Sequence, residues 1–187
     1  MDSDPLRLEI RGADPDHWSD IRSLHAYAFR SLACPTLEPA QCQAFISHIY
    51  APDYTAALQR QDIQTGWYEG RVVGTAGWMP SDDRGTAARI TSVFVSPLFA
   101  RIAVGRKLVA AAEARAAAAG FETYIVRAFQ PSAGFFEALG YARSSQGVQI
   151  VGTENGIPVV FMRKQGSQAS EAAPDEAGVA AAKSISI

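Results

Sequence analysis

The segment from residue 88 to residue 129 constrains the fold of this chain more than any other part. Ala88–Val95 and Phe121–Phe129 are apolar and rich in β-branched or aromatic residues, as is typical of strands. Between them, residues 105–119 are rich in alanine and predict a helix, with Gly120 at its C-cap. A strand, a loop, a helix and a second strand in this order indicate an α/β protein.

The start of this predicted helix has a chemical use as well as a structural one. The first N–H groups of a helix lack internal partners and carry partial positive charge, so they can hold an anion. Ala103 and Gly105 are small enough to let a ligand approach the backbone, and Arg101 and Arg106 would add full charges for a phosphate or pyrophosphate. An ordinary helix entry with surface arginines fits the same residues.

Charge is unevenly distributed, although the net charge of the whole chain is only −2. Between residues 84 and 127 the acidic side chains are Glu113 and Glu122 alone, whereas the basic ones are Arg84, Arg89, Arg101, Arg106, Lys107, Arg115 and Arg127. Such a local excess can hold an anionic ligand. A scattered set of solvated charges is the alternative interpretation.

The rest of the chain is predicted to contain further helices and strands, followed by a tail. Hydrophobic periodicity predicts strands at 6–11, 63–68, 71–79, 141–151 and 157–163, and helices at 16–31, 38–49, 54–60 and 131–139. Glu69-Gly70 and Asn155-Gly156 are the expected hairpin turns. Residues 1–164 form the predicted domain, and 165–187, without an aromatic residue, form a predicted flexible tail.

Length and composition exclude several classes of protein. A chain of 187 residues and 48% hydrophobic content is a soluble globular domain with a core of its own. The two cysteines, Cys34 and Cys42, are too few for a disulfide scaffold or an all-cysteine zinc site, and they show no catalytic signature. Without a signal sequence or an apolar run of membrane length, we expect a cytoplasmic protein that binds neither membrane nor nucleic acid. The three histidines lack metal-ligand spacing, so no metal is expected.

Two motifs resemble those of the GNAT superfamily of N-acetyltransferases. Residues 93–97 followed by 100–108 (VFVSP and ARIAVGRKL) look like its acetyl-CoA-binding segment, and residues 135–141 (FFEALGY) look like its later aromatic signature. The order of predicted elements from residue 6 to residue 163 also matches that family. The resemblance implies a mixed, mostly antiparallel twisted sheet of about seven strands with helices on both faces.

The resemblance also implies how the coenzyme and the acceptor bind. The pyrophosphate would lie on residues 101–106, and the pantetheine arm would run beside Val93, Phe94 and Val95. The implied coenzyme-binding set is Val93, Phe94, Val95, Arg101, Ile102, Ala103, Val104, Gly105, Arg106 and Phe136. A primary amine would attack the thioester directly, and a backbone N–H near Phe94 or Val95 would stabilise the oxyanion. The early helices and late strands would shape the acceptor pocket, with Phe29, Tyr50, Tyr54 and Trp78 as candidate lining residues. The oligomeric state stays open, with a homodimer as one alternative.

The sequence departs from the family pattern at the loop. The family loop has the form Q/R-x-x-G-x-G/A, but this chain has Ala100 at the first position and Ala103 at the first glycine, so that only Gly105 matches. We expect Ala103 to donate its N–H from a backbone with negative φ, and Arg101 to replace the missing charge.

The proton-transfer groups are the second departure. Phe136 stands where many family members have a tyrosine that protonates the leaving thiolate, and phenylalanine has no proton to give. Tyr124, a weak candidate, and Tyr141 are the alternative acids, and each also fits a packed core position. No general base is assigned; the alternatives considered are Glu69, Asp82, Asp83, Thr91, Ser92 and His48.

Three functions are therefore compatible with the sequence. The first is an acetyl-CoA-dependent N-acetyltransferase acting on a primary amine. The second is a non-catalytic acyl-CoA-binding module, which Phe136 and the missing base would favour. The third is a nucleotide-binding protein that uses the same strand–loop–helix cradle, although the later aromatic signature would then have no purpose.

Overall fold

A computed structural model describes residues 7–81, 86–151 and 155–166 of the chain. The helices are α1 (Trp18–Leu32), α2 (Pro39–Tyr50), α3 (Pro52–Gln59), α4 (Val104–Ala118) and α5 (Ala133–Glu137). The strands are β1 (Glu9–Gly12), β2 (Asp62–Tyr68), β3 (Arg71–Pro80), β4 (Ala88–Val95), β5 (Thr123–Phe129), β6 (Ala142–Val151) and β7 (Asn155–Gln165).

The strands form one seven-stranded sheet in the order β1-β2-β3-β4-β5-β7-β6. Every neighbouring pair is antiparallel except β4 and β5, which are parallel because α4 connects them. This confirms the predicted fold, a mixed and mostly antiparallel sheet within an α/β protein.

Local sequence explains how several of these elements begin and end. Glu69 and Gly70 both have positive φ, 48° and 74°, as a tight two-residue hairpin between β2 and β3 requires. Helix α2 begins with a reciprocal cap, in which the Glu38 N–H donates to Gln41 Oε1 at 3.0 Å. Pro52 lies in the first turn of α3, where its missing N–H costs nothing.

Side chains alternate between the two faces of the sheet and pack into two separate cores. On one face, side chains of β4 and β5 pack with residues of α4 and α5; these are Ala88, Ile90, Val126 and Ala128. On the other face, Phe94 and Phe129 pack with residues of α1, α2 and α3. The sheet therefore has two faces, which we name the α4 face and the α2 face.

One prediction about local structure is wrong. Asn155 and Gly156 were expected to form a turn, but both lie in β7 and pair with Val151 and Ile150 of β6. Residues 152–154, between the two strands, lie outside the described residues, and so do residues 167–187, which include nearly all of the predicted tail. Strand β7 itself runs to Gln165, one residue past the predicted domain boundary.

The two cysteines are paired, which the sequence analysis did not predict. Cys34 and Cys42 form a disulfide with a Cα–Cα distance of 5.1 Å, which ties the loop after α1 to α2. Neither thiol is therefore available as a nucleophile. A disulfide is more usual in oxidising compartments, whereas the sequence predicts a cytoplasmic protein.

Candidate active site in the wedge between β4 and β5

The parallel strands β4 and β5 separate partway along their length. They pair at Ala88–Tyr124, Arg89–Ile125 and Ile90–Val126, and no further pair joins them in the described part of the chain. Strand β4 continues to Val95 and β5 to Phe129, so the sheet opens into a wedge. Beyond Ile90 the main chain of β4 has no partner strand on its β5 side and can accept an extended ligand there.

A bulge in β4 helps to open the wedge. The register between β3 and β4 shifts between Thr75 and Gly77, and Ser92 has φ of 50°, which is unfavourable for a residue with a side chain. Thr75 Oγ1 donates to the carbonyl of Ser92 at 2.6 Å, and Ser92 Oγ donates to Gln61 Oε1 at 2.7 Å. These two bonds hold the strained residue in place.

The start of α4 presents free backbone amides at the open end of the wedge. Ala103 caps the helix with φ of 65°, and Arg101 has φ of 67°. The expectation of a negative φ at Ala103 is therefore wrong: the alanine adopts the left-handed conformation that a glycine would adopt without strain. A left-handed residue followed by a helical turn forms a concave group of N–H donors. Among the described residues, no backbone carbonyl accepts a bond from the amides of residues 101–106.

Gly105 is tightly surrounded within this cradle. A Cβ atom there would lie 3.1 Å from Phe135 Cζ and 3.4 Å from Val95 Cγ2. Glycine therefore allows β4, α4 and α5 to approach one another. The side chains of Arg101, Ile102 and Arg106 are exposed around it, whereas that of Val104 is buried. Exposed guanidiniums beside free amides fit a diphosphate group.

A cavity of about 280 Å³ lies inside the wedge and opens toward the α2 face. Most of its lining residues come from β4 and β5, two come from α2, and single residues come from α3, α5 and other segments. The lining residues are Phe45, His48, Tyr54, Gln61, Met79, Arg89, Ile90, Thr91, Ser92, Val93, Phe94, Val126, Arg127, Ala128, Phe129, Ser132, Phe136 and Gln149. Among the described residues, no aspartate or glutamate belongs to this lining.

The predicted coenzyme-binding residues lie along the wedge, whereas the predicted acceptor residues Phe29 and Trp78 lie elsewhere. Val93, Phe94 and Phe136 line the cavity, and residues 101–106 lie at the helix start. Phe29 is buried behind the cavity wall, stacked on Phe45 at 4.0 Å. Trp78 packs against Phe121 on the α4 face. Neither Phe29 nor Trp78 lines the cavity.

The two tyrosines considered as acids are placed away from the cavity. The Tyr141 hydroxyl donates to Glu113 Oε1 at 2.6 Å, and Lys164 Nζ also donates to Glu113. Burial, followed by the bond to Glu113, raises the pKa of Tyr141. Tyr124 is 4% exposed on the α4 face, and burial raises its pKa, with a further contribution from Glu113. Neither phenol lines the cavity, and the raised pKa of each makes it a poor proton donor.

A chain of buried hydrogen bonds joins the cavity wall to the β4 bulge. His25 is fully buried, with Nδ1 2.8 Å from the Tyr54 hydroxyl and Nε2 2.8 Å from Thr75 Oγ1. Because the single Thr75 proton goes to the carbonyl of Ser92, Thr75 accepts from His25 Nε2–H, and His25 Nδ1 accepts from Tyr54. Burial lowers the pKa of His25 to about 3, so the ring is neutral. Tyr54, which lines the cavity, thus donates its hydroxyl proton to His25 and has none to give to a ligand.

His48 is the titratable base in the cavity lining. It lies on α2, half-buried, with its ring 5.2 Å from that of Tyr54. Burial lowers the pKa of His48, and the Asp53 carboxylate partly offsets this effect. A neutral imidazole is a suitable proton acceptor near neutral pH. Of the other bases considered, Glu69 lies in the β2–β3 turn, and Asp82 and Asp83 lie outside the described residues.

Sequence reasoning did not assign Gln61 or Gln149 to the cavity wall, and it counted Arg89 and Arg127 only within a local excess of basic residues. Tyr54, a candidate lining residue, does line the cavity. One usable signal was present: Arg89 and Arg127 are each the lone charged residue in an uncharged stretch of predicted strand, 88–95 and 123–129. A charged side chain at such a position is costly unless it faces water or a ligand. Gln61 and Gln149 gave no comparable signal, because only the tertiary fold brings them to the cavity.

Membrane-spanning helices and metal-binding clusters are both absent from the described residues. No helix there is both long enough and apolar enough to cross a membrane. No group of three or more histidine, cysteine, aspartate or glutamate side chains there could hold a metal ion.

Solved structures share this fold. A GCN5-related N-acetyltransferase from Rhodopseudomonas palustris is 21% identical, with a TM-score of 0.75 over 84% of this chain and 94% of its own. The yncA protein of Salmonella typhimurium, a putative acetyltransferase solved with acetyl-CoA, is 20% identical. Its TM-score is 0.59, and the match covers 91% of this chain and 99% of the yncA chain. The paia N-acetyltransferase of Thermoplasma acidophilum, solved with coenzyme A, is 12% identical. Its TM-score is 0.61, and the match covers 86% of this chain and 99% of the paia chain.

Sequence comparison gives the family. Among curated protein sequences, none matches this chain significantly. The sequence pattern of the acetyltransferase (GNAT) family, however, matches residues 27–141, which is more than half of the chain and includes α4, the wedge and Phe136. The chain therefore belongs to the acetyltransferase (GNAT) family.

Proposed function

We propose that this protein is an acetyl-CoA-dependent N-acetyltransferase that transfers an acetyl group directly from the thioester to a primary amine. The observation that carries the proposal is the wedge: β4 and β5 part after Ile90 and Val126, beside the free amides at the start of α4. One end of this opening suits a diphosphate, and the cavity at the other end suits a small acceptor.

The residues at the α4 end fit the coenzyme. The amides of residues 103–106 and the guanidiniums of Arg101 and Arg106 would hold the pyrophosphate. The unpaired main chain at Val93–Val95 would hold the pantetheine arm as an added strand. Acetyl-CoA supplies an activated acetyl group on a thiolate leaving group.

The residues lining the cavity supply the remaining chemistry. A backbone N–H at Phe94 or Val95 would stabilise the charge that develops on the carbonyl oxygen. His48 would take the proton of the attacking amine, because it is the neutral base in the lining. Phe136 forms an apolar wall, 3% exposed and edge-on to Tyr141, and donates no proton. A thiol has a pKa near 8.5, so the thiolate can leave without a general acid.

A second function, a non-catalytic acyl-CoA-binding module, draws support from one observation. The described cavity lining contains no carboxylate, and Phe136 stands where a phenol would serve as acid. Such a module would bind the coenzyme at the same place and would release no thiol.

Calorimetric titration with acetyl-CoA, followed by detection of free thiol with a panel of primary amines, tests both functions. Binding together with amine-dependent thiol release is the expected result. Binding without release on any amine would favour the module, and binding of ATP or NAD in place of coenzyme A would contradict both. Phe136→Tyr sharpens the test: a phenol in this wall should increase turnover, by up to the roughly 10²-fold that general acid help provides.

A further inference from the structure

Two arginines face the cavity from the floor of the wedge. Arg89 lies between Ala88 and Ile90, and both of these pack on the α4 face, so the Arg89 side chain lies on the α2 face. The same alternation places Arg127, between Val126 and Ala128, on the α2 face of β5. Both guanidiniums carry a permanent positive charge.

No carboxylate within the described residues compensates these charges. Arg89 Nη2 lies 3.2 Å from Met79 Sδ, and the Arg127 guanidinium lies 5.7 Å from the centre of the Phe161 ring. Within the part of the chain that the structure describes, no salt bridge involves either arginine. Burial, and then the charge of Arg127, lower the pKa of Arg89. Arg89 is half-buried and Arg127 is exposed, and the described residues offer neither an anion. Two neighbouring guanidiniums that face one cavity in this way suit an anionic ligand.

The coenzyme phosphates are badly placed to supply that counter-charge. Their proposed cradle is at the start of α4, which packs on the opposite face of β4 from Arg89. Between the arginines and the bulge, moreover, Thr91 Oγ1 is buried and makes no hydrogen bond to the described residues, although Thr91 lines the cavity. An unpartnered hydroxyl in the same cavity lining as two arginines is a third group that an anionic ligand would satisfy.

The opposite wall of the cavity has the complementary chemistry. The Tyr54 hydroxyl donates its proton to His25, so its oxygen can only accept a further hydrogen bond. His48 beside it is a second acceptor when neutral. This wall therefore suits a group rich in N–H donors, such as an amine.

We propose that the acceptor is a free amino acid or a close analogue, a small amine that also carries a carboxylate. Arg89, Arg127 and Thr91 would bind the carboxylate, while Tyr54 and His48 would receive the amine. The cavity of about 280 Å³ is close to the lower limit of roughly 300 Å³ for small-molecule pockets, which favours a small acceptor over a protein chain. The lack of an acid in the described lining argues against polycationic acceptors. This inference rests on the proposed N-acetyltransferase function.

The first test uses matched pairs of acceptors. The twenty free amino acids and their carboxamides, which keep the amine and lose the negative charge, are compared by amine-dependent thiol release. We expect at least one acid to exceed its amide by about 10- to 100-fold in kcat/KM, because charge-assisted bonds to the carboxylate are lost in the amide. Acetylation of amides as fast as acids, or of peptides and proteins only, would overturn the inference and leave the N-acetyltransferase function standing.

A binding measurement separates the two proposals if no amine reacts. The same acids and amides are titrated into the coenzyme A-bound protein and followed by calorimetry. Absence of any reaction would contradict the proposed function, whereas the inference about the pocket is judged by affinity alone. Tighter binding of an acid than of its amide supports the inference, and equal or absent binding of both overturns it.

Single substitutions locate the carboxylate. Arg127→Gln and Arg89→Gln should each raise KM for the preferred acid about 10- to 100-fold, with kcat and acetyl-CoA affinity little changed, and Arg127→Lys should recover part of the loss. Arg163→Gln is the matched control, since Arg163 is an exposed arginine on β7 opposite Ile125 and does not line the cavity. If Arg89→Gln and Arg127→Gln keep the preference for acid over amide, the assignment of the carboxylate to these arginines is overturned.

Discussion

The two ends of the wedge are built from different parts of the chain and by different means. On the α4 side, consecutive residues 101–106 present main-chain amides, and β4 presents its unpaired backbone. On the α2 side, the cavity wall consists of side chains from separate elements, such as His48, Tyr54, Arg89 and Arg127. Recognition by the main chain tolerates substitution, as Ala103 in place of a glycine illustrates, whereas recognition by side chains changes with each residue. The α4 side can therefore retain one ligand while the α2 side diverges.

The largest effect expected on the α4 side comes from filling the space around Gly105. Gly105→Trp should weaken acetyl-CoA binding by at least about 100-fold, or roughly 3 kcal/mol, because even a Cβ would press on Phe135 and Val95. Calorimetry measures the affinity, and circular dichroism checks that the variant folds. Ala110→Trp is the matched control, because Ala110 is exposed farther along the same helix. Equal affinity for Gly105→Trp and wild type would remove this loop from the coenzyme site.

The largest effect expected on the α2 side comes from His48. His48→Gln should reduce turnover by about 10²- to 10⁴-fold, because it removes the proposed proton acceptor and keeps a polar side chain. Acetyl-CoA affinity should be unchanged, since His48 lies on the opposite face of the sheet from α4. The dependence of kcat/KM on an ionisation near the pKa of His48 should disappear in the variant. A variant with full activity and the same pH profile would exclude His48 as the base.

A smaller effect concerns the hydrogen-bond chain behind the α2 wall. Folded His25 has a pKa of about 3, against about 6.5 in the unfolded chain, so between these pH values the unfolded state binds more protons. The contribution of His25 to stability is complete above pH 6.5, and it falls by about 1.4 kcal/mol for each pH unit below that. Urea unfolding at several pH values between 7.5 and 4.5 measures this slope. His25→Gln should have a shallower slope in this range, and identical slopes in the two proteins would contradict the assignment.

The smallest effect returns to the α4 side. Ala103→Gly should stabilise the protein by about 1 kcal/mol, because it relieves the left-handed alanine at φ of 65°. Ala100→Gly, at a residue with φ of −67°, should instead be neutral or destabilising by up to about 1 kcal/mol. Thermal or urea unfolding compares the two variants. Equal changes in stability at both positions would argue against the left-handed conformation of Ala103.

The contrast between a site built from consecutive residues and one built from distant residues also explains what the sequence could predict. The β2–β3 hairpin at Glu69-Gly70 and helix α4 depend on local propensity and were predicted correctly. Phe136 was placed by a motif of neighbouring residues, and it does line the cavity. These features are encoded within short stretches of chain, where periodicity and turn chemistry are informative.

The features that were missed depend on contacts between distant residues. Arg89 and Arg127 come from different strands, and they face one cavity only because β4 and β5 run parallel. Tyr54 owes its hydrogen-bond polarity to His25 and Thr75, which lie on other elements. The Cys34–Cys42 disulfide depends on how the loop between α1 and α2 folds back, and the spacing of the cysteines did not indicate it.

Backbone amide resonances report most directly on whether the start of α4 holds a diphosphate. In a titration of the isotope-labelled protein with coenzyme A, the amide protons of Ala103, Gly105 and Arg106 should shift downfield as they donate to phosphate, and those of β1 and β2 should remain in place. Coenzyme binding that leaves these three amides unshifted, or no binding at millimolar concentration, would contradict the account.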